Sequence, residues 1–134
     1  MTSKIIYKGD LRTEATHLQS GTVIQTDAPV DNHGKGEKFS PTDLVATALG
    51  SCMLTFMGIS AQGHNINIDG THCEVTKEMV ANPRKIGRIV ISMYMKGSEA
   101  FTDKQKAILE ASARSCAVLE SLHPDTIKDL TFIW

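Results

Sequence analysis

The sequence has no Cys-x-x-Cys pair, and its three cysteines are an odd number. Secreted disulfide frameworks use even sets, so none is expected here. In a reducing compartment the cysteines are packing residues, metal ligands or redox groups. The five histidines are scattered, and no zinc-ligand spacing is present, so no metal or other cofactor is expected. There is no basic excess either: 14 Lys and Arg face 15 Asp and Glu, a net charge of −1. Without a basic run, nucleic acid is not an expected partner. The opening "MTSKIIYKGD" lacks an apolar leader segment. The longest apolar run, Val45 to Ile59, falls short of the roughly 20 residues that span a bilayer. It also holds Thr47, Ser51 and Thr55. No internal repeat or low-complexity tract occurs. The expectation is a soluble cytoplasmic protein with no membrane contact, formed of one domain over residues 1–134.

What is present alternates between strand and helix signals. "KIIY" and "TVIQT" are short β-branched runs separated by polar, Gly-containing stretches. "DAPVDNHGKGEKF" reads as a loop long enough to suggest a function, such as a lid or a partner surface. Ser40, Pro41 and Asp43 form a helix start: an N-cap, a first-turn proline and the acid of a capping box. Val45, Ala48, Leu49, Cys52, Phe56 and Ile59 recur at helical spacing, and Gly63 closes the segment. "INIDGTHCEVTKEMV" and "KIGRIVISMYM" alternate as strands around the turn "ANPRK". A helix is expected from Thr102, with Gln105 in capping-box position. A second short helix begins near Ser115 and must stop before Pro124. "LTFIW" reads as a terminal strand. The order implies an α+β domain.

Two of the cysteines invite chemistry. Cys52 lies on the apolar stripe, where a buried free cysteine is an ordinary core residue. Its neighbours Ala46, Ala48, Gly50 and Ser51 are small. Gly within a helix costs about 1 kcal/mol relative to Ala, so Gly50 points to a close approach by another backbone or a ligand. Cys116 stands where a helix begins, and free N–H groups there lower a thiol pKa. Arg114 is near in sequence. Packing is the competing reading for both. Cys73, within "THCEV", has no such setting and reads as structural. Whether Cys52 and Cys116 meet is not decided by spacing.

"FSPTDLVATALGSCMLTFM", "KEMVANPRKIGRIVISMYMKG" and "SARSCAVLESL", in that order, resemble the OsmC/Ohr superfamily of osmotically inducible and organic-hydroperoxide-resistance proteins. The resemblance runs from about Lys4 to the C-terminus. It implies an intertwined α+β homodimer, with a central Cys-bearing helix packed on antiparallel sheets and active sites at the subunit interface. It further implies thiol-dependent reduction of organic hydroperoxides. Cys52 matches the peroxidatic cysteine, which becomes a sulfenic acid. Cys116 matches the resolving cysteine, which closes a disulfide for a dithiol such as a dihydrolipoyl group to reduce. No cofactor is implied.

An apolar setting raises a thiol pKa, so the family's chemistry needs a cation. The resemblance assigns that role to an arginine from an N-terminal strand or loop, and Arg12 is the match. Arg84 and Arg88 are lesser candidates. In the peroxidases a glutamate directly after the helix-starting proline fixes the arginine. Here that residue is Thr42. Asp43 is about 180° around the helix from Cys52 and is expected to cap, leaving Glu37 as a substitute acid. Ala117 follows Cys116 where many relatives carry proline. His33 and His123 are expected to be structural or exposed. The departure at Thr42 favours an alternative function: a non-enzymatic ligand-binding or redox-sensing protein with an apolar pocket at the dimer interface.

Overall fold

Three strands open the chain in the computed structural model, which describes all 134 residues. They are β1 (Ser3–Gly9), β2 (Arg12–His17) and β3 (Val23–Asp27), paired antiparallel in the order β1-β2-β3. β1 and β3 are the expected β-branched runs. β2, "RTEATH", was not expected as a strand, because its polar residues give no apolar alternation. Pairing on both sides makes it one. Directly opposed residues share a face. One face therefore carries Ile5, Ala15 and Ile24 in a row, with Tyr7, Thr13 and Thr26 beside it. The other carries Arg12, Glu14, Gln25 and Asp27. The loop after β3 holds a short 3-10 turn, Val30–Asn32.

The chain divides into two compact units, Met1–Val45 and Ala46–Trp134. The fully buried apolar side chains lie in the second. In the first, the buried residues are Thr26, Asp27 and Ser40, while Ile5, Ile6, Tyr7, Val23 and Ile24 are exposed.

Helix α1 (Pro41–Gly63) starts as the sequence predicts. The Ser40 N–H donates to Asp43 Oδ2 at 2.9 Å, and the Asp43 N–H donates to Ser40 Oγ at 3.0 Å. The helix ends at Gly63. By length and composition it suffices to cross a membrane, with a mean hydropathy of 1.7 over an 18-residue window. Yet its buried residues are those of a core helix: Ala46, Leu49, Gly50, Met53, Met57 and Ala61. That stripe is not the expected one. Of the predicted set, only Leu49 belongs to it; Val45 is 38% and Ile59 66% exposed. The helix is apolar nearly all round, so period alone does not choose a face. The sheet does: Gly50 lies against Cys73, Val75 and Ile91 of its strands. Fully burying Leu49, Met53 and Met57 contributes about 1.5–3 kcal/mol each.

The sheet of the second unit comprises β4 (His72–Val80), β5 (Lys85–Tyr94) and β6 (Ile127–Ile133), in that order. β4 and β5 form the expected hairpin around Ala81–Arg84. β6 runs parallel to β5. The antiparallel expectation thus holds for the first sheet and the β4–β5 pair, while the second sheet is mixed. A parallel neighbour needs a crossover, and helices α2 (Asp103–Arg114) and α3 (Ala117–Ser121) supply it. Thr102 and Gln105 close the predicted capping box. Ile89, Ile91 and Met93 alternate into the core, completely buried. α1 and the inner side of α2, through Leu109 and Ala113, join them in one apolar cluster.

Candidate thiol site

Cys116 is the N-cap of α3 and is 0% exposed; Cys52, midway along α1, is partly exposed. The fold brings them near each other: Cys52 packs against the buried apolar cluster that holds Cys116, and its presence raises the Cys116 pKa. Both are free thiols. Burial pushes the Cys116 pKa up, the Leu119 N–H opposes this, and the Cys52 thiol raises it further. The helix-start effect expected from the sequence is present, through the Leu119 and Val118 N–H groups, but desolvation outweighs it. Cys116 therefore holds its proton. A buried protonated thiol beside a partly exposed one suits them to different roles.

Two hydrogen-bonded junctions lie beside the cysteines. The Ser112 hydroxyl donates to the Phe56 carbonyl at 2.8 Å, joining α2 to α1. Ser115 closes α2: its hydroxyl and its N–H both donate to the Ser112 carbonyl, at 2.9 and 3.1 Å. Cys116 follows directly. Sequence reading did not single out Ser112, since one serine on a helix carries no signal of its partner.

Cys73, expected to be structural, packs against α1 where it explains Gly50. A Cβ on Gly50 would stand 2.9 Å from Cys73 Sγ and 3.0 Å from Val75 Cγ2. The close approach foreseen at Gly50 is thus to strand side chains, neither to a backbone nor to a ligand. Burial raises the Cys73 pKa.

Arg12 belongs to the first unit, on β2. Its Nε donates to Asp27 Oδ1 at 2.7 Å and its Nη2 to Asp27 Oδ2 at 2.9 Å. Nη2 also reaches Glu37 Oε2 at 2.8 Å. Asp27 is 1% exposed and Arg12 25%. The Arg12 hydrogen bond holds the Asp27 carboxyl below its ordinary pKa, against the effect of burial. The two carboxylates, Asp27 first, push the Arg12 pKa higher still. Glu37, the expected substitute for the acid missing at Thr42, does pair with Arg12, but as its second partner. The first is Asp27, which the sequence reading missed. Arg12 and Asp27 are opposed in the β2–β3 register, so recognising β2 as a strand would have exposed the pair.

The remaining candidates have other partners. Asp43 caps α1, and the Thr42 hydroxyl lies 3.2 Å from that of Ser40. Arg84 sits exposed in the β4–β5 turn. Arg88 pairs with Asp129 and with Glu78, the latter at 3.8 Å. His33 occupies a left-handed turn position, with φ of 65°. His123 is exposed beside Asp125.

The family model of the OsmC-like protein matches residues 34–128. The chain belongs to the OsmC-like family. A solved structure from Psychrobacter arcticus 273-4, provisionally described as an osmotic stress induced and detoxification response protein, is 50% identical. It superposes with a TM-score of 0.94, over 99% of this chain and 96% of that one. The organic hydroperoxide resistance protein OsmC of Legionella pneumophila is 13% identical, with a TM-score of 0.77 over 100% and 98% of the two chains. OhrB of Bacillus subtilis, an organic hydroperoxide resistance protein, is 18% identical, with a TM-score of 0.70 over 99% and 98%. At those identities the last two establish the shared fold. A search of curated proteins finds no match.

Proposed function

We propose that this OsmC-like protein is a thiol-dependent peroxidase that reduces organic hydroperoxides. The observation carrying this reading is the packing of the partly exposed Cys52 against the apolar cluster that buries the protonated Cys116. The Cys52 thiolate attacks the O–O bond, giving a Cys52 sulfenic acid and an alkoxide that leaves as the alcohol. The Cys116 thiol condenses with the sulfenic acid, forming the Cys52–Cys116 disulfide and releasing water. A dithiol then reduces the disulfide and is itself oxidised. Arg12 is the proposed cation for the thiolate and the developing oxyanion. Its support is a guanidinium held by three hydrogen bonds.

The working unit is proposed to be a cytoplasmic homodimer. The uncharged row of Ile5, Ala15 and Ile24, next to Tyr7, has no apolar cover. A three-stranded sheet is stable in water only when such a face is packed. A second copy of this chain would supply the cover. Sedimentation should give twice the chain mass.

One observation favours the alternative, a ligand-binding or redox-sensing protein. Arg12 already faces two carboxylates, which offset its charge. The deciding experiment mixes reduced protein with cumene hydroperoxide or hydrogen peroxide and maps oxidised cysteines by mass spectrometry. The peroxidase predicts rapid Cys52–Cys116 disulfide formation, faster with the organic peroxide and absent in Cys52→Ser. Two free thiols after minutes of exposure would refute the peroxidase and leave Cys52 as packing or the lining of a ligand pocket.

A further inference from the structure

We propose that Ser112 is a positioning residue that sets the register of the two thiols, and so the strength of their disulfide. The inference rests on the pairing of Cys52 with Cys116 just described. Phe56 is one helical turn beyond Cys52, on nearly the same side of α1. Ser112 is four residues before Cys116. Its hydroxyl donates to the Phe56 carbonyl, while its own carbonyl takes both donors of Ser115, the neighbour of Cys116. Hydrogen bonds and single residues thus link the turn of α1 beyond one thiol to the residue beside the other. Apolar packing between α1 and α2 is non-directional and leaves sliding and rotation soft. The Ser112 hydroxyl, aimed at one carbonyl, fixes both.

A bracket of this kind does no chemistry. It holds Cys116 against Cys52 before the disulfide exists, which raises the effective concentration of one thiol at the other. The expected size is the net worth of the hydrogen bond, about three- to tenfold in the disulfide equilibrium.

The test equilibrates the protein in buffers of reduced and oxidised dithiothreitol, traps free thiols by alkylation and counts Cys52–Cys116 disulfide by mass. In Ser112→Ala the equilibrium constant should fall about three- to tenfold, a potential up to about 30 mV less negative. Ser112→Thr, which keeps the hydroxyl, should restore it. Ser115→Ala should weaken it in the same direction. A folded Ser112→Ala within twofold of wild type would overturn the proposal, as would a loss that Ser112→Thr does not recover. No peroxide is used. Wild-type protein that closes the disulfide in this buffer but consumes no hydroperoxide would sink the peroxidase and leave the bracket standing.

Discussion

Gly50→Ala sets two opposing effects against each other. Within a helix, alanine is favoured over glycine by about 1 kcal/mol. Against this, the new methyl would lie 2.9 Å from Cys73 Sγ and 3.0 Å from Val75 Cγ2. Ordinary contact needs about 3.5–4.0 Å, so both neighbours must yield at once. Val75 is β-branched and stiff at χ1. Its strand partner Ile91 is fully buried and also within 3.9 Å of the new atom. Overpacking of this kind costs about 1–3 kcal/mol. The expected balance is a loss of about 1 kcal/mol, reaching about 2, which lowers Tm by about 3–8 °C in a domain of this size. Urea denaturation of Gly50→Ala, Cys73→Ala and the double variant completes the assay. Removing Cys73 Sγ frees one of the two contacts, so the alanine should cost about 0.5–1.5 kcal/mol less in that background. A Gly50→Ala protein more stable than wild type would refute the reasoning. It would mean that the sheet gives way freely and that propensity alone decides.

The Asp27 pKa is depressed in the fold, so its stabilising effect is full above the unfolded value near 3.9 and is lost as pH falls through the folded value. Urea midpoints of wild type should therefore drop below about pH 4 more steeply than those of Asp27→Asn, which starts lower at neutral pH. Cys116 has a raised pKa in the fold, so its contribution is full below the unfolded value near 8.5 and is lost as pH rises through the folded one. Reduced wild type should lose stability above about pH 8.5, and Cys116→Ala should flatten part of that decline, Cys73 and, at higher pH, Tyr94 contributing the remainder of the same sign. Ser40→Ala removes the acceptor for the Asp43 N–H and should cost about 1 kcal/mol, whereas Ser40→Gly should cost only a few tenths. Met57→Ala opens a cavity under a fully buried side chain and should cost about 2–5 kcal/mol by denaturant midpoint.

Local signals in this sequence were readable wherever the physics is local. Ser40 and Asp43 bond to each other across three residues, so the start of α1 could be placed from those residues alone. The same holds for Thr102 and Gln105. The β4–β5 hairpin declares itself through the alternation of Ile89, Ile91 and Met93. What was not readable depends on partners distant in the chain. The buried stripe of α1 was misjudged because Val45, Ile59, Met53 and Met57 are all apolar, and only the sheet selects among them. β2 is polar and becomes a strand through its two neighbours. The direction of β6 beside β5 is set by a crossover, which no strand pattern encodes.

The resemblance matches Arg12 to the family's arginine, and in this structure its partners are Asp27 and Glu37. A glutamate after the helix-starting proline would tie the guanidinium to the start of α1. With Thr42 there, the tie runs instead to Asp27, directly across the β2–β3 pair. An arginine fixed by a sheet register is held by the ladder on which both residues sit, and a fork-to-fork pair tolerates little rotation. Glu37, 62% exposed and on a loop, is the looser third member. Desolvation would make an unpaired Asp27 carboxylate costly, so Arg12 cannot leave Asp27 as readily as it can leave Glu37. Of its two partners, Glu37 is therefore the one from which the guanidinium separates at lower cost.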